Sequence, residues 1–279
     1  MQVHHIRSAT LVLCLGPHRL LVDPMLSAPG ALPGFKMFGG GRRRNPSCPL
    51  PANSDEILAQ VTGVLITHEH PDHLDPAGVA WIAARQLPVW ASPTDVPTLR
   101  KKGLAAEVLG QGSLGLAVEH IPAVHGPGPI GWLMGPVAGY YLAHPDEPSV
   151  YLTSDAVMSP SVLDALNRLR PDVVIAPAGA ANFGIGPSIL FTLDELVTLI
   201  RHAPGQVLLN HLEALDHCPL TRAALRARLT QEGLLSRVHI PKDGESVSFA
   251  RPSGGERPRP GPGPTQIPRL QKWVSSLLG

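Results

Sequence analysis

The sequence predicts an α/β fold, and three observations support this class. Short apolar runs such as Val64-Leu65-Ile66 and Val207-Leu208-Leu209 are typical of buried strands. Amphipathic segments such as Leu193–His202 are typical of surface helices, and they alternate with those runs along the chain. The chain has 279 residues, of which 43% are hydrophobic, so it can bury a substantial core.

The first predicted elements are two strands, Thr10–Leu15 and Arg19–Val22, joined as a hairpin at Gly16-Pro17. The second strand ends at Asp23, which is followed by proline. Two roles stay open for Asp23. It either caps the following turn or braces a nearby metal ligand through a hydrogen bond.

The segment from Met25 to Pro51 is rich in glycine and proline and contains Arg42, Arg43 and Arg44. So long an irregular segment is either a functional lid or a disordered excursion. Arginine binds carboxylates and phosphates through its forked guanidinium, so such a lid could grip an anionic substrate. The pattern favours a solvated loop for Arg42 and Arg43, and Arg44 is kept as a candidate substrate-binding residue.

The remaining helices and strands follow at short intervals. The predicted helices are a short one opened by Ser54-Asp55-Glu56, then Leu74–Arg85, Val96–Lys102, Ser161–Arg170, Leu193–His202 and Thr221–Leu229. The predicted strands are Val64–Ile66, Pro88–Trp90, Val108–Leu109, Leu116–Val124, Gly139–Leu142, Val150–Leu152, Val173–Ala176, Val207–Leu209 and Ser246–Phe249.

Three histidines and an aspartate lie within six residues, directly after the central predicted strand. On extended backbone, His68 and His70 point to the same side because side chains alternate with period two. Asp72 and His73 follow after the chain has started to bend, so they aim elsewhere. Two ligands in one direction and two in another favour a pair of neighbouring metal ions over a polar surface turn.

Candidate ligands also follow three other strands. His68 comes after Ile66, and the equivalent residues after the later strands are His125, Asp155 and His211. Ligands at the ends of several strands can converge at one edge of a sheet arrangement. One histidine alone would more often be a hydrogen-bonded structural residue, so it is the shared placement that indicates a site.

Composition narrows the possible partners. The formal net charge is +1, so no global field draws the chain toward nucleic acid or a membrane. Cys14, Cys48 and Cys218 are scattered and odd in number, which favours a reduced, cytoplasmic setting. Polar residues near Met1 and the lack of a long apolar run predict that the chain carries neither a signal peptide nor a membrane-spanning segment. The expected partner is a small-molecule substrate, and a homo-oligomer stays open.

The C-terminal region differs from the rest. Residues 1–250 are predicted to form one domain, whereas residues 251–264 are rich in proline, glycine and arginine and predict a linker. A short amphipathic helix is predicted within the end of the 251–279 segment, from apolar residues at helical spacing: Leu270, Trp273, Val274, Leu277 and Leu278. This stripe could dock on the domain or contact another subunit.

The run from His68 to His73 resembles the HxHxDH signature of the metallo-β-lactamase-fold hydrolases. Ile6–Thr10, Leu21–Leu26 and Asn210–Leu215 are similar to the UlaG-like branch, which includes enzymes of the ascorbate-6-phosphate lactonase type. The resemblance covers Met1 to Phe249. It implies that residues 1–250 form a four-layer αββα sandwich, in which two mixed sheets pack face to face with helices outside.

The resemblance also implies a set of ligands. A first metal would be held by His68, His70 and His125, and a second by Asp72, His73 and His211, with Asp155 bridging. These donors suit Zn²⁺, and also Mn²⁺ or Fe²⁺. Where the family commonly has glycine before the bridging aspartate, this chain has Ser154. His120 precedes His125 and is assigned a structural role.

The expected activity is that of a binuclear metal-dependent hydrolase. A hydroxide bridging two ions would attack a small, anionic ester, lactone or amide, with Asp72 as the catalytic residue that orients it. Two alternatives are kept: a phosphodiesterase or nuclease of the same fold, and a metal-stabilised binding module without catalysis. The near-neutral charge argues against long RNA as substrate.

Overall fold

Two β-sheets packed face to face form the centre of the computed structural model, which describes residues 1–252. In chain order the strands are β1 (Gln2–Arg7), β2 (Thr10–Leu15), β3 (His18–Val22), β4 (Gly63–Leu65), β5 (Val89–Ala91), β6 (Ala106–Val108), β7 (Ala117–Ala123), β8 (Val137–Ala143), β9 (Val150–Leu152), β10 (Val173–Pro177), β11 (Gln206–Asn210), β12 (Val238–His239) and β13 (Ser246–Ser248). Within the described range, the first sheet has the order β13-β1-β2-β3-β4-β5-β6 and the second has the order β12-β11-β10-β9-β8-β7.

Helices cover both outer faces of the sheets. In chain order the helices of the described residues are α1 (Ser54–Ala59), α2 (Pro76–Arg85), α3 (Val96–Lys101), α4 (Gly128–Met134), α5 (Pro160–Leu169), α6 (Leu193–His202) and α7 (Arg222–Gln231). Residues of α1, α2 and α3 join the apolar cluster on the first sheet, and residues of α5, α6 and α7 join the cluster on the second. The four-layer αββα sandwich predicted from the sequence is therefore confirmed.

Strand β2 shows how the layers are filled. Leu11, Leu13 and Leu15 belong to the cluster between the two sheets, whereas Val12 and Cys14 face the helical layer of the first sheet. This follows from the period-two alternation of side chains in a strand, with both faces buried. Burying each leucine contributes about 1.5–3 kcal/mol relative to leaving it in water.

Parallel pairing brings several strand ends to one edge. In the first sheet β3 and β4 are parallel, and in the second β9, β10 and β11 are parallel. The residues that follow the carboxyl ends of β3, β4, β9 and β11 include Asp23, His68, Asp155 and His211. In open α/β sheets, ligands bind in the crevice outside such strand ends.

The helix and strand predictions agree with the structure, with shifts of a few residues at the ends. The helix predicted from Leu74 begins at Pro76, because Asp75 caps it by accepting a hydrogen bond from the Gly78 amide at 2.7 Å. Strands β1 and β12 and helix α4 were not predicted. The predicted linker and C-terminal helix, beyond residue 252, lie outside the described residues. Within residues 1–252, no helix combines the length and apolar character needed to cross a membrane.

Candidate metal centre

The segment after β4 turns sharply before α2 begins. The amides of His73 and Leu74 both donate to the carbonyl of His70 at 2.9 Å, which closes a tight turn. This turn separates the extended part that carries His68 from the part that carries Asp72. The two halves of the segment therefore reach different places, as the sequence predicts.

The structure brings together all seven residues that the sequence analysis nominated as ligands. Two groups have ligand atoms within 4.8 Å of one another: a three-histidine cluster, formed by His68, His70 and His125, and a mixed cluster, formed by Asp72, His73, Asp155 and His211. All are buried except His70, which is partly exposed. Residues from four loops far apart in sequence thus meet at one edge of the sandwich.

The separations within the mixed cluster match those of ligands around one ion. Nε2 of His73 lies 3.2 Å from Oδ2 of Asp155 and 3.2 Å from Nε2 of His211. Nε2 of His211 lies 3.5 Å from Oδ2 of Asp72. In tetrahedral zinc sites, bonds of about 2.0–2.1 Å place neighbouring donor atoms about 3.3 Å apart. The observed spacing therefore fits a small divalent cation.

Asp155 lies between the two clusters. Its Oδ2 is 3.2 Å from His73 and 3.7 Å from His211 in the mixed cluster. The same oxygen is 3.6 Å from Nε2 of His125 and 4.0 Å from Nε2 of His68 in the three-histidine cluster. One carboxylate is thus placed to reach both.

Each imidazole is oriented by a contact on the side away from the centre. Nδ1 of His125 bonds to the carbonyl of Ile189 at 2.8 Å, and Nε2 of His70 bonds to the carbonyl of Met134 at 3.1 Å. Metal-binding histidines almost always donate their other ring nitrogen in this way, because it fixes the tautomer and the ring orientation. Helix α4, which ends at Met134, therefore helps to position His70.

His68 provides a direct test of whether the residues fit a cation. Its Nδ1 lies 3.0 Å from Oγ1 of Thr67, while its Nε2 is buried and has no hydrogen-bond partner in the described residues. A buried ring nitrogen without a partner is costly. Because this nitrogen faces the other donors, a metal ion would satisfy it, and the residues present fit such a group.

The charges of the mixed cluster also favour a cation. Burial alone would raise the pKa of Asp155, but the positive charges of His73 and His211 outweigh it and hold that pKa well below its ordinary value. Burial would lower the pKa of His73, but the charges of Asp155 and Asp23 raise it to about 10. The carboxylates thus require nearby positive charge, which a divalent ion would supply.

Three residues at the centre adopt left-handed backbone conformations that non-glycine residues seldom take. The φ angles are +50° at Asp23, +56° at Ser154 and +58° at His211. Each residue lies one or two residues beyond a strand end, where the backbone leaves the extended conformation of the strand. This explains why glycine is common at position 154 in the family that the sequence resembles. Here Ser154 keeps the turn and places its Oγ 3.4 Å from Nδ1 of His68.

Asp23 braces the HxHxDH segment from the neighbouring strand. Its Oδ2 lies 2.8 Å from Nδ1 of His73 and accepts a hydrogen bond from Oγ1 of Thr67 at 2.7 Å. Its Oδ1 accepts from the Thr67 amide at 2.7 Å. Of the two roles left open by the sequence, the structure supports the bracing of a candidate ligand.

We expect Asp23→Asn to weaken metal binding by about 10–100-fold, because an amide orients and polarises His73 less well than a carboxylate does. Zn²⁺ affinity measured by competition with a chromogenic chelator would check this. Asp95→Asn is a matched control, since Asp95 is a partly buried carboxyl group that accepts a hydrogen bond from Oγ of Ser92 at 2.6 Å. Equal affinity in the wild type and Asp23→Asn would contradict the bracing role.

A cavity of about 490 Å³ opens onto both clusters. The candidate ligands in its wall are His70, Asp72, His125 and Asp155. The rest of the wall is mainly apolar and consists of Gly34, Phe35, Met37, Arg42, Pro71, Met134, Phe183, Ile189 and His217. Its size suits a small molecule bound directly beside the candidate metal centre.

The segment from Met25 to Pro51, for which the sequence left open a functional lid or a disordered excursion, is a loop held by hydrogen bonds to Asp216. Asp216 holds it by accepting hydrogen bonds from the amides of Phe35 at 2.9 Å and Arg43 at 3.1 Å. Asn45 Nδ2 donates to the same carboxylate at 3.0 Å. These contacts place Phe35 and Met37 in the cavity wall.

Two arginines of this loop, Arg42 and Arg44, donate hydrogen bonds to backbone carbonyls of the same loop. Arg44 does not line the cavity, and its guanidinium donates to the carbonyls of Gly30 at 2.5 Å and Ala31 at 2.9 Å. Arg42 does line the cavity, but its Nε and Nη2 both donate to the carbonyl of Gly34. Neither guanidinium is held toward the candidate metal centre.

Two further histidines, His120 and His217, lie in different surroundings. His120 contacts the carbonyl of Leu109 and the ring of Tyr140, away from the centre, in keeping with the structural role assigned to it. His217 was not nominated from the sequence, yet it is buried and lines the cavity. It lies in a loop after Leu215 rather than at a strand end, so the placement after a strand that identified the candidate ligands does not apply to it. Burial lowers the pKa of His217, although the charge of Asp72 acts in the opposite direction.

Comparisons with known proteins agree with this geometry. The family described as "Beta-lactamase superfamily domain" matches residues 18–212. The chain is 28% identical to UPF0173 protein YddR of Bacillus subtilis (strain 168) over 255 residues, which cover 89% of this chain and all of that protein. It is 31% identical over 148 residues to a UPF0173 metal-dependent hydrolase of Xanthobacter autotrophicus, covering 48% of this chain and 60% of that one.

A solved structure matches over nearly the whole described range. It is the isothiocyanate hydrolase from Delia radicum gut bacteria, with a TM-score of 0.83 and 28% identity over 90% of this chain and all of that one. The family match covers most of the chain. The fold, the clustered candidate ligands and the hydrolase relatives agree with it. The chain belongs to the β-lactamase superfamily and is a metal-dependent hydrolase.

Proposed function

We propose that the protein uses two divalent ions to hydrolyse small electrophiles with an apolar substituent. The three-histidine cluster would hold one ion, and the mixed cluster the other. The observation that carries this proposal is the position of Asp155, whose Oδ2 lies 3.2 Å from His73 and 3.6 Å from His125 and so reaches both clusters. Zinc is the metal that these nitrogen and carboxylate donors favour, and manganese or iron(II) accepts the same set.

When bound, such ions lower the pKa of a coordinated water toward about 7 and so supply hydroxide at neutral pH. The chain itself holds and orients the reacting groups. Asp72 lines the cavity, and its carboxylate can accept a hydrogen bond from the attacking oxygen and direct it into the cavity. Burial would raise the pKa of Asp72, but the hydrogen bond with His211 and the charge of His73 keep it well below its ordinary value. The carboxylate therefore stays ionised for this task.

The cavity wall supports a substrate class of esters, lactones, amides or isothiocyanates with a compact apolar group. Phe35, Phe183 and Ile189 offer apolar surface on which such a group could pack. An anionic substrate was expected from the arginines of the loop, but Arg42 and Arg44 donate to backbone carbonyls. We therefore expect the protein to prefer uncharged substrates over anionic ones. Isothiocyanates are included because the isothiocyanate hydrolase from Delia radicum gut bacteria is 28% identical to this chain.

Two further parts of the proposal rest on the sequence. Assignment to the UlaG-like branch is supported by the motifs around Asp23 and His211. A cytoplasmic setting is supported by Cys14, Cys48 and Cys218, all of which are free.

The proposed function can be tested with protein loaded with zinc or with manganese. The panel contains 4-nitrophenyl acetate, δ-valerolactone, phenethyl isothiocyanate and, as an anionic substrate, bis(4-nitrophenyl) phosphate. We expect turnover of at least one uncharged substrate, and a loss of about 10²–10³-fold in kcat in Asp72→Asn, because the attacking oxygen loses its acceptor. Asp164→Asn is the matched control, since its side chain is 64% exposed on α5.

Other outcomes would change the assignment. Turnover of the phosphodiester alone would favour a phosphodiesterase. Absence of turnover on every substrate at full metal loading would favour a binding module. Unchanged kcat in metal-loaded Asp72→Asn would contradict the role of Asp72.

A further inference from the structure

His217 is a buried polar side chain beside the centre that belongs to neither candidate metal cluster. It is 6% exposed and lines the cavity together with Asp72. Its Nε2 lies 3.7 Å from Oδ2 of Asp72. This distance is too long for a hydrogen bond, so neither atom satisfies the other. A ring nitrogen and a carboxylate thus stand side by side at the wall of the cavity.

The ring of His217 is held in this orientation by its surroundings. The ring of Phe35 packs edge-on against it, with centroids 5.4 Å apart and planes at 89°. Its carbonyl accepts a hydrogen bond from the Asn182 amide at 2.9 Å. The preceding residue, Asp216, accepts from the Phe35 amide at 2.9 Å. The loop that covers the cavity therefore also fixes His217.

The surroundings of the two ring nitrogens assign the position of the proton. Nδ1 of His217 is buried and has no hydrogen-bond partner in the described residues. A neutral imidazole carries one N–H and one bare nitrogen, and a buried N–H without an acceptor is the costlier of the two to leave unpaired. The nitrogen nearer the carboxylate of Asp72 is Nε2, where an N–H is favoured. We therefore place the proton on Nε2, facing the cavity.

We propose that His217 is a catalytic residue that donates a hydrogen bond from Nε2–H to the substrate atom on which negative charge develops. This rests on the proposed function above. As the bond between the hydroxide oxygen and the attacked carbon forms, the π electron pair of the C=O or C=S bond moves onto its oxygen or sulfur. His217 stabilises that charge and keeps its own proton. A donor aimed at the developing charge contributes to the transition state far more than to the bound substrate.

The test compares His217→Leu, which removes the donor, with His217→Gln, which keeps an N–H at a similar reach. On whichever panel substrate the wild type turns over, we expect kcat to fall about 10²–10³-fold in His217→Leu, with KM little changed. His217→Gln should recover part of the loss. Metal content by mass spectrometry and the melting temperature should match the wild type in both variants. His239→Leu is the matched control, since His239 bonds to Gln206 on an outer strand.

A second measurement, which does not depend on activity, shows whether His217 donates a hydrogen bond to the substrate or binds the metal. In protein with ¹⁵N-labelled histidine, Nε2 of His217, assigned by its absence in His217→Gln, should carry a proton before and after Zn²⁺ is added. Loss of that proton on zinc addition, or loss of bound metal in His217→Leu, would show that His217 is a ligand and overturn the inference. If the wild type is active and kcat is unchanged in His217→Leu, the role of His217 is overturned while the proposed function stands. A metal-loaded wild type inactive on the whole panel would overturn the proposed function, and this inference with it.

Discussion

Asp155→Asn is expected to lose most of the bound metal and to lower kcat/KM by at least about 10⁴-fold, or about 5.5 kcal/mol of transition-state stabilisation. The reason is that one oxygen of Asp155 lies within 4.0 Å of imidazole nitrogens of both clusters, so a single substitution weakens both. An amide oxygen carries no formal charge and binds a divalent cation far more weakly than a carboxylate. Metal per chain after dialysis, measured by mass spectrometry, and steady-state kinetics would check both parts.

A control for Asp155→Asn must show that loss of metal is not caused by any Asp→Asn change. Asp194→Asn serves this purpose, because the Asp194 side chain, in the first turn of α6, is 81% exposed and pairs with Arg228. We expect it to keep the metal content and the rate of the wild type. If Asp155→Asn retained about two ions per chain, the bridging position proposed for Asp155 would be wrong.

Arg7→Met is expected to lower the free energy of unfolding by about 3–5 kcal/mol, because it leaves buried acceptors without their donor. The Arg7 side chain is fully buried in β1. Its guanidinium donates to the carbonyls of Cys48 at 2.7 Å, Met25 at 2.8 Å and Ser27 at 3.0 Å. Methionine fills similar space but cannot donate. In a chain of this size the melting temperature should fall by roughly 6–20 °C.

Urea unfolding of the metal-free protein would measure this effect without a contribution from metal binding. Arg201→Met is the matched control, since Arg201 is 58% exposed and bonds to Glu232. The carbonyls that Arg7 binds lie at both ends of the loop that covers the cavity. We therefore also expect faster proteolysis of that loop in Arg7→Met. A change in unfolding free energy below about 1 kcal/mol would contradict the anchoring role.

The strands of the core were predictable because their residues are apolar on both faces. Strand β1 was missed for the opposite reason. Its sequence contains Gln2, His4, His5 and Arg7, which no local pattern identifies as a strand inside a sheet. Arg7 is buried because carbonyls distant in sequence surround it, and this information is not present in the strand itself. Helix α4 was missed because its seven residues include two glycines and a proline and no polar side chain, so no amphipathic stripe marks it as a helix.

The candidate metal centre was more predictable than the cavity beside it. His68, His125, Asp155 and His211 share one local signal, since each follows an apolar strand. The walls of the cavity come from loops whose positions depend on long-range hydrogen bonds, such as those of Asp216. His217 and the internal contacts of Arg44 depend on those bonds and could not be read from neighbouring residues.

The left-handed turns at Asp23, Ser154 and His211 affect how the centre can respond to different ions. Each turn costs about 1–2 kcal/mol in backbone energy, and this cost is incurred when the chain folds, whether or not an ion is bound. The donors are therefore preorganised, and little rearrangement should accompany binding. A rigid set of donors cannot adapt to ions of different radius. Selectivity among cations should then depend on how well an ion matches the existing spacing, which disfavours large ions such as Ca²⁺.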